Sequence, residues 1–444
     1  MKPVAAAVSF VTLLSACSGG GAGPAPDVTF QRDIRPIVES RCVACHQAGG
    51  VAPLDFTDAA AWADGAPTWA AAATGAVGLG SMPPWMPSAD CKEIEDARGL
   101  TADEKQAFAD WAANDHAVGD EADFVSPDPV THIMEDRKAL WGEPSFELSS
   151  PEPYQIQAND RPDDYRCIVM DHEFTQDTWI RGVEVRPDQK AYVHHLILYQ
   201  FDSTQVEQLQ ADDAADPDVG YPCFGNPDAQ TIMAWAPGQN GEFLPDDTAR
   251  FVSAGSKWVI QVHYNTLGRD PATVPMDHTS VAIWEFDGTP TQAVLTIPFP
   301  KMDIQIPSGD PHVVQKDKFS VREAFGELPI DLPVMGVMGH MHQLGTAISL
   351  KASQTGLDDT CLLDIPKWDF NWQQTYYYPE DAWFMANSDT TLHMTCEYDN
   401  SPANQIVVNG VARDPQDVAW GENTTDEMCL TYALVVLPAA LISN

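Results

Sequence analysis

The sequence is short of basic residues. Only 24 Lys and Arg stand against 65 Asp and Glu over 444 residues, a formal net charge of −41. A field of that sign repels phosphate, which excludes binding to nucleic acid or an anionic surface through net charge. Long apolar runs are missing too, and no stretch reaches the roughly 20 residues of a spanning helix. Apolar residues as such are not scarce: at 44 % they suffice for packed cores, which excludes a chain disordered throughout. The length allows about two to four domains. The 35 Pro and 29 Gly favour turns and short strands over long helices.

Residues 1–16 read as an export signal. Lys2 gives a positive start, and Val4 to Leu14 is an apolar core too short to span. Leu14-Ser15-Ala16-Cys17 resembles a bacterial lipoprotein box, with Cys17 as the lipidated residue; the alternative is a plain signal peptide with an incidental cysteine. Residues 17–26 then form a lipidated Gly/Ser-type tether. The expectation is an exported, membrane-anchored lipoprotein, on the periplasmic side or at the outer membrane or cell surface. That compartment is oxidising.

Cys42-Val43-Ala44-Cys45-His46 is Cys-x-x-Cys-His, the c-type haem attachment pattern. Two thiols at this spacing reach the two vinyl groups, and the adjacent imidazole reaches the iron. The second axial ligand is expected from Ser81–Pro87: Met82, with Met86 as the alternative. A His/Met pair raises a haem potential. Phe30, Ile34, Ile37 and Val38 have helical spacing. Thr101-Ala102-Asp103-Glu104 is a capping box, followed by Phe108 and Trp111 on one face. Residues 27–118 are therefore expected to form a small all-α cytochrome c domain with one covalent haem c. Residues 119–140 read as a linker.

Nine cysteines are present. With Cys17 assigned to lipid and Cys42 and Cys45 to haem, six remain: Cys91, Cys167, Cys223, Cys361, Cys396 and Cys429. Six allow 15 pairings, which their spacing leaves open.

From about 140 onward, short β-rich runs alternate with turn residues, as in sandwiches. Four patterns stand out. Ala191–Tyr199 is strand-like and holds His194 and His195; neighbours on an ideal strand face opposite sides, so both reach one metal only at a twist, bulge or strand end. Lys257–Asn265 puts His263 on one face with Gln261 and Asn265. Gly339-His340-Met341-His342-Gln343-Leu344-Gly345 places two imidazoles on the same side of a strand, able to converge on one ion. Asp426-Glu427-Met428-Cys429 opens a last β-like run, and a thioether such as Met428 selects copper in its reduced state.

In this order the four patterns resemble the copper type II, ascorbate-dependent monooxygenases, peptidylglycine α-hydroxylating monooxygenase and dopamine β-monooxygenase. The resemblance covers about residues 155–440. It implies two all-β jelly-roll-type sandwich domains, placed at 141–290 and 291–444, since Ile306-Pro307-Ser308-Gly309 resembles an early second-domain turn. It implies two copper ions: one on His194, His195 and His263, storing an electron, and one on His340, His342 and Met428, where dioxygen and substrate meet. The open copper positions would face a solvent-filled cleft. It also implies disulfides Cys167–Cys223 and Cys396–Cys429. The remaining Cys91 and Cys361 would then staple the haem module to the second copper domain.

Two positions depart from the peptide-amidating branch. Its substrate-gripping Arg is Met338 here, and its Asn after the Met-Cys pair is Leu430. Tyr165 and Tyr432 match tyrosines of its substrate site. Loss of a charge-assisted clamp predicts poor activity on C-terminal glycine peptides and a more apolar pocket. The expected function is hydroxylation of a C–H bond of a small organic substrate by dioxygen. The fused haem would relay electrons to the coppers from an external donor, ascorbate or a redox protein. The alternatives are a copper-binding or electron-shuttling lipoprotein, and a sandwich pair oxidising something other than C–H. Gln261 is expected near the first site or in a sheet-edge hydrogen bond. His116, His132, His172, His278, His312 and His393 are expected at the surface or as satisfied core residues, and Asp212–Asp218 as a solvated loop.

Overall fold

A computed structural model describes residues 27–43, 45–48, 52, 54–57, 68–127, 133–158, 163–223, 229–237, 239, 241–266, 271–370, 372–405, 407–408, 411–421 and 425–442. The export signal, Cys17, the tether and His132 lie outside them.

The described residues between 27 and 118 form helices and turns. Phe30–Ile34 runs into Arg35–Arg41, and Ala70–Gly78 and Ala102–Ala113 follow. The last begins at the capping box: Glu104 N–H donates to Thr101 Oγ1 at 3.1 Å and Thr101 N–H to Glu104 Oε2 at 2.7 Å. Such a cap contributes about 1 kcal/mol. Phe30, Ile34, Val38, Phe108 and Trp111, the apolar positions picked out by helical spacing, pack into one cluster with Trp69, and Ile37 packs against it. The expected linker contains a helix, Ile133–Trp141, whose Met134 and Trp141 pack against Phe243 and Trp284.

Beyond residue 140 strands are the dominant regular structure. A five-stranded antiparallel sheet runs in the order Tyr221–Pro222, Asp163–Val169, Lys257–Asn265, Val193–Phe201, Gln230–Trp235. Its apolar face, with Ile168, Leu196, Leu198, Ile260 and Val262, packs on Ile180, Val183, Val281 and Ile283 of a second sheet. A four-stranded sheet, Val313–Ser320, Thr391–Tyr398, Gly345–Ser353, Thr360–Ile365, similarly covers Val334, Val337, Ala433 and Val435. These are two β-sandwiches, but they are not separate. One ten-stranded sheet supplies a layer to both, because Thr248–Val252 pairs in parallel with Gln292–Pro300. The expected boundary near 290 falls just before that joining strand.

A buried ion pair sits near the join. Arg250 Nε and Nη2 donate to the two Glu242 oxygens at 2.5 and 2.7 Å, Tyr377 O–H donates to Glu242 Oε1 at 2.8 Å, and Arg250 Nη1 to Thr296 Oγ1 at 3.1 Å. Among the described residues three disulfides are present: Cys167–Cys223, Cys396–Cys429 and Cys91–Cys361. The third joins the helical segment to the second sandwich. Beside it, Ser88 N–H donates to Asp364 O and Glu95 N–H to Tyr377 O, and Met86 lies in the second sandwich's core.

The Asp212–Asp218 run is not a plain loop. Its first part closes the helix Val206–Ala215, and Asp216 accepts from Arg166 Nη2 at 2.7 Å.

Candidate metal centres

The adjacent histidines converge because the strand is irregular. His263 pairs with His195, yet the next residue, Tyr264, pairs with Val193. His194 is therefore the extra residue of a β-bulge. A bulge re-aims a side chain that regular alternation would send to the other face. The three Nδ1 atoms form a triangle: His194 to His195 3.2 Å, His194 to His263 3.1 Å, His263 to His195 3.3 Å. An odd ring of neutral imidazole nitrogens cannot alternate donor and acceptor, so these contacts cannot all be hydrogen bonds. A triangle of that edge does have a circumradius close to a metal–imidazole bond of about 2.0 Å. The residues fit a metal ion held through Nδ1. His263 Nε2 lies 2.8 Å from Asp163 Oδ1, and a carboxylate accepting the outer N–H leaves Nδ1 unprotonated. Burial, then neighbouring imidazoles, pushes the pKa of His195 and His263 well below the ordinary value. They are neutral, as ligands require.

The second cluster gathers at the ends of two strands of the shared sheet, Leu332–His340 and Leu430–Pro438, with His342 just after the first and Met428 just before the second. His340 pairs with Leu430 and Met338 with Tyr432. Alternation places 338 and 340, and 430 and 432, along one face. His342 Nδ1 lies 3.1 Å from the Asp426 carbonyl, which fixes its proton there and leaves Nε2 as the donor to a metal. His340 Nδ1 contacts Gln373 Oε1. Burial, then His342, lowers the His340 pKa to about 3, with the Gln373 bond opposing. Met428 is buried beside the pair and anchored by Cys396–Cys429 and by Tyr398 O–H on its carbonyl. Two imidazoles and a thioether fit copper better than a hard cation. Gly345 is required here: a Cβ would fall 2.9 Å from both Met341 Cε and Trp368 Cδ1.

Glu427 organises this turn. Its buried carboxylate accepts from His342 N–H at 2.8 Å and Leu344 N–H at 2.6 Å, while burial raises its pKa to about 8. Asp163, Gln373 and Glu427 were not assigned roles from sequence. Only Glu427 carried a signal, its place beside Met428.

Both clusters open onto one cavity of about 50 Å³. His195, His340, His342 and Met428 line it, as do Tyr165, Met338, Leu430 and Tyr432. A space this size holds a few waters. Phe370 stands among these residues, its ring centroid 6.1 Å from His195, 6.4 Å from His263 and 6.0 Å from His342. Its loop is tied down by Trp368 Nε1–H on the His342 carbonyl at 3.1 Å. Gln261 also lines the cavity, and its strand is central, so the sheet-edge alternative is corrected.

A larger cavity, about 590 Å³, lies in the helical segment. Cys42, Cys45, His46 and Met82 all line it, and Met86 does not. Ala72, Ala73 and Ala76 present small side chains to it, leaving the space open. Its volume falls in the about 300–1,000 Å³ range of cofactor sites. His46 Nδ1 lies 3.0 Å from the Leu54 carbonyl, so Nε2 is the atom left to ligate. Burial raises the Cys42 pKa to about 12 and that of Cys45 as well, keeping both as thiols. The donor set and the space fit a haem. Lys190–His194, Pro237 and Asn265 of the first sandwich and Trp372 of the second complete the wall.

Of the other histidines, His278 and His393 bond to Ser150 O and Ser353 Oγ at 3.0 and 2.7 Å, His116 to Thr74 Oγ1 at 3.2 Å, and His312 to Glu397 at 3.1 Å. His172 stacks on Phe146 at 4.4 Å.

No family model and no curated protein matches this sequence. Among solved structures, the major capsid protein P2 of bacteriophage PM2 aligns over 66 % of this chain and 96 % of its own, at 8 % identity and a TM-score of 0.24. The VP2 subviral particle of infectious bursal disease virus aligns over 71 % and 88 %, at 10 % identity and 0.14. Scores this low carry no argument.

Proposed function

We propose that this protein is a copper- and dioxygen-dependent monooxygenase that hydroxylates a C–H bond of a small organic substrate and carries a c-type haem. The observation behind the reading is one apolar-walled cavity shared by two imidazole clusters, one with a thioether. His194, His195 and His263 would hold one copper ion. His340, His342 and Met428 would hold the other. Cys42, Cys45, His46 and Met82 would hold the haem. When bound, these groups supply one-electron transfer and dioxygen activation.

The chain's residues hold, orient and exclude water. Asp163, Asp426 O and Gln373 set the imidazole tautomers and ring angles. Met338, Leu430 and Tyr432 form an apolar wall with Ala234. Among the described residues no Lys or Arg lines this cavity, so a substrate carboxylate finds no guanidinium or ammonium clamp. That favours an aromatic or aliphatic molecule over a peptide C-terminus. Phe370 keeps the space between the clusters small. The three disulfides support export to an oxidising compartment. Lipid anchoring at Cys17 and an external donor, ascorbate or a redox protein, complete the reading.

Haem- and copper-loaded protein supplied with reductant and ¹⁸O₂ tests it. Label should enter an organic product, and His340→Ala and Met428→Ala should abolish incorporation. Two coppers bound with no label incorporated from a panel of small aromatic and aliphatic compounds would favour a second reading, a copper-binding electron shuttle. The small cavity is the observation on that side.

A further inference from the structure

Resting on the reading above, we propose that His194 joins the haem crevice to the three-imidazole cluster and carries single electrons between them. Its Nδ1 is a corner of the triangle, and the same residue lines the crevice that holds Cys42, Cys45, His46 and Met82. The bulge explains this double exposure. A bulge re-aims the side chain away from the direction regular alternation would give it. The segment before it, Lys190–Val193, also lines the crevice and is fixed by Asn265 N–H on the Tyr192 carbonyl at 2.8 Å. His195 and His263, the other two corners, do not line the crevice, nor do His340, His342 and Met428.

The two sides are held in register. Cys91–Cys361 ties the helical segment to the second sandwich, and Arg98 Nη2 donates to Gln374 Oε1 at 2.6 Å. The step would be a simple exchange: with both groups bound, one electron would pass from ferrous haem to a cupric ion on the cluster, leaving ferric haem and cuprous ion. No bond breaks and no proton is needed. A rival route exists, because Trp372 lines the crevice and its neighbour Gln373 touches His340.

The test uses the full chain loaded with haem and copper, without oxygen. A flavin semiquinone generated by a light flash reduces the haem, and its reoxidation is followed optically beside the cupric EPR signal. Reoxidation should be first order, independent of protein concentration, and matched by loss of cupric signal. His263→Ala, which empties the first site without touching the crevice, should abolish it. Trp372→Ala and Met428→Ala samples that hold wild-type haem and first-site copper should retain it. His194→Ala should lose it and regain it with added imidazole. Separately, ferric haem should shorten cupric spin relaxation at the first site. Retention in His263→Ala, or loss in Trp372→Ala, overturns the proposal in favour of the rival route. Loaded wild type with neither transfer nor relaxation coupling overturns it while leaving the oxygenase reading intact. Failure of the wild type to take up haem or copper overturns both.

Discussion

Replacing Asp163 tests the first metal centre at its least obvious point. Asp163 stands outside the imidazole triangle, with Oδ1 2.8 Å from His263 Nε2. The His263 side chain is 2 % exposed and that of Asp163 24 %. In Asp163→Ala the outer N–H of a buried ring loses its acceptor, and the ring can move its proton to Nδ1, where it blocks the metal. Loss of such an outer partner costs about 10–100-fold in metal affinity. That range equals about 1.4–2.7 kcal/mol, which agrees with about 1.5–3 kcal/mol for a hydrogen bond to a charged group. Competition with a cuprous chelator of known affinity reads this directly. One of two coppers should weaken by that factor and the other should not change. Asp163→Asn should recover part of the loss, since an amide oxygen still accepts. Unchanged affinity at both sites would refute the Nδ1 assignment.

Glu242→Ala leaves Arg250 buried and unpaired, and urea unfolding of the apoprotein should show a loss of about 3–5 kcal/mol; the variant Glu242→Leu/Arg250→Met should lose much less. Burial, opposed by Arg137, raises the pKa of Glu95 from 4.5 to about 7 where its backbone meets Tyr377. A raised carboxyl stabilises the fold fully below 4.5, and that contribution is lost as pH rises through about 7. The melting temperature should therefore show a falling contribution between those values that Glu95→Gln removes. Cys91→Ala/Cys361→Ala should cost about 2–4 kcal/mol and expose the 85–98 segment to limited proteolysis; an unchanged digestion pattern would show that packing alone holds it.

Much of this was legible where chemistry is local. The capping box and the apolar positions at Phe30, Ile34, Val38, Phe108 and Trp111 are short-range patterns, and the structure has them where periodicity puts them; the His-x-His pair is only half on its strand, which ends at His340 and leaves His342 just beyond it. The bulge at His194 was legible only as one of three possibilities, because adjacent histidines demand some irregularity without naming it. Asp163 and Gln373 were not legible, since they meet their histidines across strands or from a loop. Phe370 is 28 residues from His342 in sequence, and nothing around it marks a residue that fills the space between two clusters. The continuity of the large sheet was hidden too, because it depends on one short parallel pairing between Thr248–Ala249 and Gln292–Ala293.

That pairing has a mechanical consequence. Two sandwiches linked only by a peptide connection can swing apart like jaws. Here they share a ladder and are braced by Arg250, Glu242, Thr296 and Tyr377. Widening the space between the clusters by rotating one half would tear that ladder and strand a buried charge pair. The cheaper motion belongs to side chains, and the Phe370 ring stands between the clusters. Turning that ring aside would leave the spacing of the two imidazole clusters unchanged.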